Sequence, residues 1–222
     1  MLSHAAANPA QPVPPVDHQF RLLQLLGIQE PEKELELWPG PGDEVRVEEL
    51  LKQAWIAENQ PLVTIHPGSR WASKRWPSER YVELIDRLAH LSKARVILTG
   101  SDQERPLCEW IQRTSKSKPF VAAGMTSLNE MAALMRRSRV FIGGDTAPLH
   151  MAAAAGTPVV ALFGSTDPLR HAPPAARKKI LKTELACSPC YRGTCPRGGA
   201  GHMECMKRIS TDEVVQAVAE FL

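Results

Sequence analysis

Between Pro61 and Gly164, short unbroken apolar runs alternate with segments in which apolar residues return every three or four positions. The runs are LVTIH (62–66), ARVILTG (94–100), FVAAG (120–124), RVFIGG (139–144) and PVVALFG (158–164). Their lack of polar alternation predicts strands buried on both faces. Tyr81, Leu84, Ile85, Leu88 and Leu91 mark a helix face that begins near Ser78. Leu107, Cys108 and Ile111 mark a second over 103–113. Leu128, Met131, Leu134 and Met135 mark a third, opened by Ser127 and Glu130 at capping-box spacing. A short helix over 148–155 stops at Gly156, and a final one opens with Ser210 and Glu213 and carries Val214, Val215, Val218 and Phe221. This repetition predicts an α/β fold with a doubly wound, parallel, Rossmann-like sheet. Ligands of such sheets sit beyond the carboxyl ends of the strands, so the loops after His66, Thr99, Gly124, Ile142 and Phe163 are the candidate functional loops.

The chain ahead of Pro61 is less regular. Residues 1–17, with Pro9, Pro12, Pro14 and Pro15 among small side chains, read as a tail or linker. Residues 18–60 read as a helical lead-in: HQFRLLQLLGI closed by Gly27, an extended piece near Leu35 and Leu37, and a helix over 44–58 with Val47, Leu50, Leu51, Ala54 and Trp55 on one face. Residues 61–222 are then expected to form the Rossmann-like domain, with a cysteine-rich insert at 187–205. At 222 residues, 43% hydrophobic, the chain can bury one sizeable core. A net charge of +3, spread along the chain, argues against nucleic acid as partner. The longest weakly polar run, 151–164, is too short to span a bilayer and contains Gly156 and Pro158. The first residues have neither the basic start nor the apolar core of a secretory signal. The expected location is the cytoplasm, with contact at the inner-membrane surface left open.

Two segments interrupt the apolar pattern with polar chemistry. HPGSRWASKRWPSERY follows the first run; Gly68 and Ser69 form a turn whose N–H groups can approach a phosphate, and Lys74 supplies a point charge. A solvated basic loop over packed Trp71 and Trp76 is the plainer alternative. FIGGDTAPLH sets Asp145, Thr146 and His150 at a strand-to-helix junction, where unpaired N–H groups and the helix dipole suit a diphosphate. Asp145 would repel phosphate and is better suited to sugar hydroxyls. Alternatively Asp145 or Thr146 caps the helix and His150 belongs to the core. Cys187, Cys190, Cys195 and Cys205 are compact enough to surround one zinc ion, with reduced structural thiols as the other reading.

Taken together, HPGSxxxxKRWP, GMTSL, GGDTAPLHMAAAAGTPVVALFGSTDP and CSPC with Cys195 and Cys205 resemble the glycosyltransferase family 9 heptosyltransferases, the type II enzymes in particular. The resemblance runs from about His18 onward. It implies the C-terminal, donor-binding Rossmann-like domain of a GT-B glycosyltransferase, which takes ADP-heptose and needs no metal or other cofactor for inverting transfer to a lipopolysaccharide-core acceptor. By position, Ser69 and Lys74 would contact the diphosphate, with Lys74 stabilising the leaving group. Thr146, Ala147, Leu149 and His150 would meet phosphate and sugar, and Asp145 would hold the heptose. Met125 would pack adenine and Asp102 would meet the ribose. Ala147 stands where the family usually has glycine or serine. The resemblance also implies that the acceptor surface and the general base belong to an N-terminal domain outside these residues. The chain is then expected to bind donor without transferring it. The rival readings are a non-catalytic nucleotide-sugar-binding module and half of a sugar-nucleotide epimerase.

Overall fold

The computed structural model describes residues 13, 15–28 and 35–222. Of the Pro-rich stretch expected over 1–17, residues 1–12 and 14 lie outside the described residues. Among the described residues, six strands form one sheet: β1 (Leu62–His66), β2 (Arg95–Leu98), β3 (Phe120–Val121), β4 (Val140–Gly144), β5 (Val159–Phe163) and β6 (Lys178–Lys182). Every pairing is parallel, and the order is β3-β2-β1-β4-β5-β6. The predicted α/β, doubly wound, Rossmann-like sheet is the fold observed.

The unbroken apolar runs are explained by the two faces they serve. Val63, Ile65, Val96, Leu98, Val140, Ile142, Val160 and Leu162 point into one core, under helices α3 (Ser78–Ser92), α4 (Arg105–Thr114) and α9 (Thr211–Ala219). The residues between them face the other way. Leu62 and Ile97 meet α2 (Pro41–Gln53) and α5 (Leu128–Arg137). Phe141, Val159, Ala161 and Phe163 meet Met131 and Met135 of α5 and Leu149 and Ala152 of α6 (Ala147–Ala154). Successive strand side chains alternate in direction, so burial on both sides favours apolar residues at nearly every position, and the buried Thr64 of β1 is paired with the Ser138 hydroxyl. Each such large side chain contributes about 1.5–3 kcal/mol on leaving water.

Both predicted capping boxes form. Ser127 and Ser210 accept from the N–H groups of Glu130 and Glu213, whose carboxylates accept from the Ser127 and Ser210 N–H groups in return. Other expectations need correction. Among the described residues, 35–40 belong to neither a helix nor a strand. The helix placed over 44–58 is α2, Pro41–Gln53; Trp55 lies beyond it with a left-handed backbone (φ 54°) and is 88% exposed. Leu91 and Leu128, placed on apolar faces by spacing, are exposed at the ends of their helices. The edge strand β6 was not foreseen, because KKILK puts lysines where an inner strand would be apolar. The helices α1 (Pro15–Gln24), α7 (Pro168–His171) and α8 (Glu204–Lys207) complete the α-helices among the described residues. Among the described residues no helix is long and apolar enough to cross a membrane.

Candidate functional site

β1 and β4 are neighbours, but the chain leaves β1 towards β2 on one side and β4 towards β5 on the other. The loops at their carboxyl ends therefore diverge, and a cleft opens between them, as at the switch point of other doubly wound sheets. The cleft measures about 840 Å³. Register makes its floor level, with His66 of β1 opposite Gly143 of β4.

The loop after β1 passes through Gly68 and Ser69 and ends in a single 3-10 turn, Ala72–Lys74. It comes so close to β4 that a Cβ on Gly144 would lie 2.8 Å from the Lys74 carbonyl oxygen. The absence of a side chain at Gly144 is what lets Lys74 reach the cleft. Its Nζ donates to Asp145 Oδ2 at 2.6 Å and lies 4.7 Å from the centre of the Trp71 ring. Thr166, from the loop after β5, donates to the same oxygen at 2.8 Å. Asp145 is thus a buried carboxylate with a counter-ion and a hydroxyl partner, which burial of a charge requires.

At the start of α6 the Thr146 side chain makes no capping bond, its hydroxyl turning back to the Gly144 carbonyl at 3.4 Å. Asp145 is engaged by Lys74 and Thr166, so the simple capping alternative does not describe either residue. Pro148 has no N–H, and the Leu149 N–H donates to Thr146 at 3.1 Å. Ala147, on the cleft wall, therefore carries a first-turn N–H at the positive end of the helix dipole. His150 also lines the cleft, half-buried. Burial lowers its pKa from the ordinary 6.5, opposed by the nearby Asp145 carboxylate.

Six of the nine sequence-derived binding residues line this one cleft: Ser69, Lys74, Asp145, Thr146, Ala147 and His150. Three lie outside its wall. Leu149 is wholly buried against Met131 and Phe141. Met125 lines a small adjoining hollow with Val47 and Leu50. The Asp102 carboxylate is largely in solvent, 3.8 Å from Arg105.

Sequence reasoning missed a second carboxylate in the cleft. Glu104, two residues beyond Asp102, lies across Gly68, where a Cβ would fall 2.0 Å from its Oε1. Its Oε2 accepts from the Ser101 N–H at 2.9 Å, and its Oε1 is 3.6 Å from His66 Nε2. The His66 imidazole, and then the Ser101 N–H, hold its pKa down at about 2 against the effect of burial. The signal was the Ser101–Glu104 spacing of a capping box, passed over because the helix was placed from Gln103 onward.

The four cysteines gather around one small hollow, lined also by Ser73, Ser165 and Arg197, and all are free thiols. Two of the sulfurs accept from protein donors, Cys195 Sγ from the Met203 N–H at 3.3 Å and Cys187 Sγ from Arg197 at 3.5 Å. Among the described residues no three His, Cys, Asp or Glu side chains converge as a metal-ligand group, so the zinc reading of Cys187, Cys190, Cys195 and Cys205 is not supported.

The sheet order and the cleft at its switch point define an α/β domain of the doubly wound class. Within that class the chain belongs to glycosyltransferase family 9 (heptosyltransferase), whose sequence model matches residues 4–200. It is 33% identical over 155 residues to lipopolysaccharide heptosyltransferase 3 of Escherichia coli, covering 68% of this chain and 45% of that protein. The fold matches a family 9 glycosyl transferase from Veillonella parvula with a TM-score of 0.84 at 23% identity, over 97% of this chain and 62% of that one. It matches the ADP-heptose lipopolysaccharide heptosyltransferase II of E. coli with a TM-score of 0.68 at 21% identity, over 84% and 53%. The chain thus spans under half the length of the curated E. coli relative.

Proposed function

We propose that the cleft binds ADP-heptose and that this chain supplies the donor side of heptosyl transfer to a lipopolysaccharide-core acceptor. The observation that carries the reading is the Lys74–Asp145 pair at the switch point, beside the N-terminus of α6 on the cleft wall. A diphosphate bound there meets an ammonium and a helix dipole together, and both favour negative charge. As the glycosidic bond to phosphate breaks, charge grows on the departing ADP, and Lys74 and the Ala147 N–H are placed to stabilise it. Asp145, whose Oδ1 has no protein partner among the described residues, suits a sugar hydroxyl. That family membership and an ADP-heptose enzyme among the structural relatives support the choice of donor.

The same geometry limits what the chain does alone. Both cleft carboxylates are paired, Asp145 through Oδ2 with Lys74 and Thr166 and Glu104 with Ser101 and His66. Such partners make each a weak proton acceptor, and transfer needs a strong base aligned with the sugar. The isolated chain is therefore expected to bind donor and show no heptose transfer.

Calorimetric titration with ADP and ADP-heptose tests the reading. Lys74→Ala is expected to weaken both by about 1.5–3 kcal/mol, the range for a charge-assisted hydrogen bond. An unchanged Kd would remove Lys74 from the site. Transfer to a lipopolysaccharide-core acceptor by the purified chain would overturn the donor-only part while leaving the cleft assignment in place.

A further inference from the structure

The segment that carries the cysteines reaches the loop that bears Lys74 and the loop that bears Thr166, the hydroxyl partner of Asp145. On the first loop, the Ser73 N–H donates to the Gly193 carbonyl at 3.1 Å and the Ser73 hydroxyl to the Arg192 carbonyl at 2.5 Å. The Trp71 indole, over which the Lys74 ammonium sits, lies flush against Gly193, where a Cβ would be 3.5 Å from two ring atoms. On the second loop, the N–H groups of Cys190 and Tyr191 both donate to the Ser165 carbonyl, at 3.1 and 2.8 Å, and Ser188 Oγ donates to the Gly164 carbonyl at 2.6 Å. The two loops meet beneath the cleft, where the Ser73 and Ser165 hydroxyls are 3.0 Å apart and both residues are buried. Ser73 directly precedes Lys74, and Ser165 directly precedes Thr166, the hydroxyl partner of Asp145.

We propose that residues 187–193 are a positioning element for the anion-binding end of the cleft, and that Ser73 is the positioning residue through which they hold Lys74. The proposal rests on the diphosphate reading of the cleft and assigns the cysteine-bearing segment a part in it. A lysine side chain is long and rotamer-rich, and ordering it at the moment of binding costs free energy. Here its backbone is pinned by Ser73 and its ammonium is seated between Trp71 and Asp145, so that cost is met in folding. The segment acts on phosphate recognition without touching the ligand.

A double-mutant cycle read by calorimetry tests this, with ADP, adenosine and inorganic pyrophosphate as probes. Ser73→Ala is expected to weaken ADP and pyrophosphate about 5- to 10-fold and to leave adenosine unchanged, because adenosine carries no phosphate. On the Lys74→Ala background, Ser73→Ala should cost nothing further. Ser165→Ala, which removes the other hydroxyl of the node, should repeat the pattern, and thermal unfolding identifies any variant that does not fold. Losses that add in full, or an equal loss for adenosine, would overturn the proposal. A wild-type chain that binds pyrophosphate but not ADP would remove the nucleotide reading alone, and the cycle would then be decided on pyrophosphate. A wild type that binds neither has no anion site to position, and the proposal falls.

Discussion

The cleft and the cysteine-bearing segment are both rich in reactive side chains, yet only the cleft draws its own into one chemical arrangement. The difference lies in the backbone beneath them. Cleft residues stand at the ends of parallel strands whose register fixes where each loop begins, so Lys74 and Asp145, 71 residues apart, meet at 2.6 Å. The segment from 187 to 205 has only the short turn Gly199–Gly201 and the start of α8, and it bends through left-handed residues at Tyr191 (φ 54°) and Met203 (φ 56°). Its cysteines follow those bends; Cys187 and Cys195 accept from N–H donors, and among the described residues no three metal-ligating side chains converge. Spacing along a chain predicts a site only where regular structure converts spacing into position.

Thiol reactivity gives the largest expected contrast. At pH 8, iodoacetamide should modify Cys195 first, because the N–H groups of Met203 and Arg197 lower its pKa, and Cys205 more slowly, because burial raises its own. Cys108, packed against the end of β2, is pushed up to about 12 by burial. On the order of one part in 10⁴ is then ionised at pH 8, and it should stay unmodified until the chain unfolds. Peptide mass spectrometry over a time course reads all three. If Cys195 and Cys205 react at one rate, the N–H groups do not govern the segment's chemistry as described.

Two glycines sharpen the comparison further. Gly144→Ala forces a methyl to within 2.8 Å of the Lys74 carbonyl, a backbone atom that cannot turn aside. It is expected to destabilise the chain by about 1–3 kcal/mol in urea unfolding, as overpacking does, and to weaken ADP as well. Gly193→Ala brings its methyl to 3.5 Å from the Trp71 ring, an ordinary contact, and should stay within about 0.5 kcal/mol of wild type. Equal costs at both positions would mean that the segment is packed as tightly as the strand ends, and the contrast would be lost.

How much of this was legible in the sequence follows the same division. β1, β2, β4 and β5 could be read because double-sided burial leaves an unbroken apolar run, and β6 could not, because an edge strand tolerates the lysines of KKILK. Lys74, Asp145, Thr146 and His150 could be read because they break the apolar pattern at strand ends. Glu104 could not be read, because which of two nearby carboxylates turns inward depends on the single 3-10 turn Asp102–Glu104. Leu149 was expected among ligand contacts, but helical spacing from Ala152 carries its side chain into the core. Trp55 repeated the helical spacing of α2 one turn too far, since spacing alone does not show where a helix ends.

The smallest effect concerns His150, and it asks whether a cleft residue behaves as a titrating group or as packing. Its folded pKa is lowered from 6.5, first by burial, then by the charges of His171 and Lys74, with Asp145 opposing. Above about pH 6.5 the imidazole is neutral in both the folded and unfolded chain and contributes nothing to the pH dependence. As the pH falls below 6.5 the unfolded chain takes up a proton that the folded chain does not, so stability is lost until the pH reaches the lowered folded value. The slope is small because His150 is only half-buried and solvent screens its charge. His150→Gln, which keeps a polar side chain of similar reach but cannot titrate, should flatten that part of the curve between pH 7.5 and 5.5 in urea unfolding. Because Asp145 favours the protonated form, Asp145→Asn should do the opposite and steepen the loss in a chain that retains His150. If wild type and His150→Gln lose stability in parallel over that range, the imidazole is not the group responsible, and its place on the cleft wall is a matter of shape.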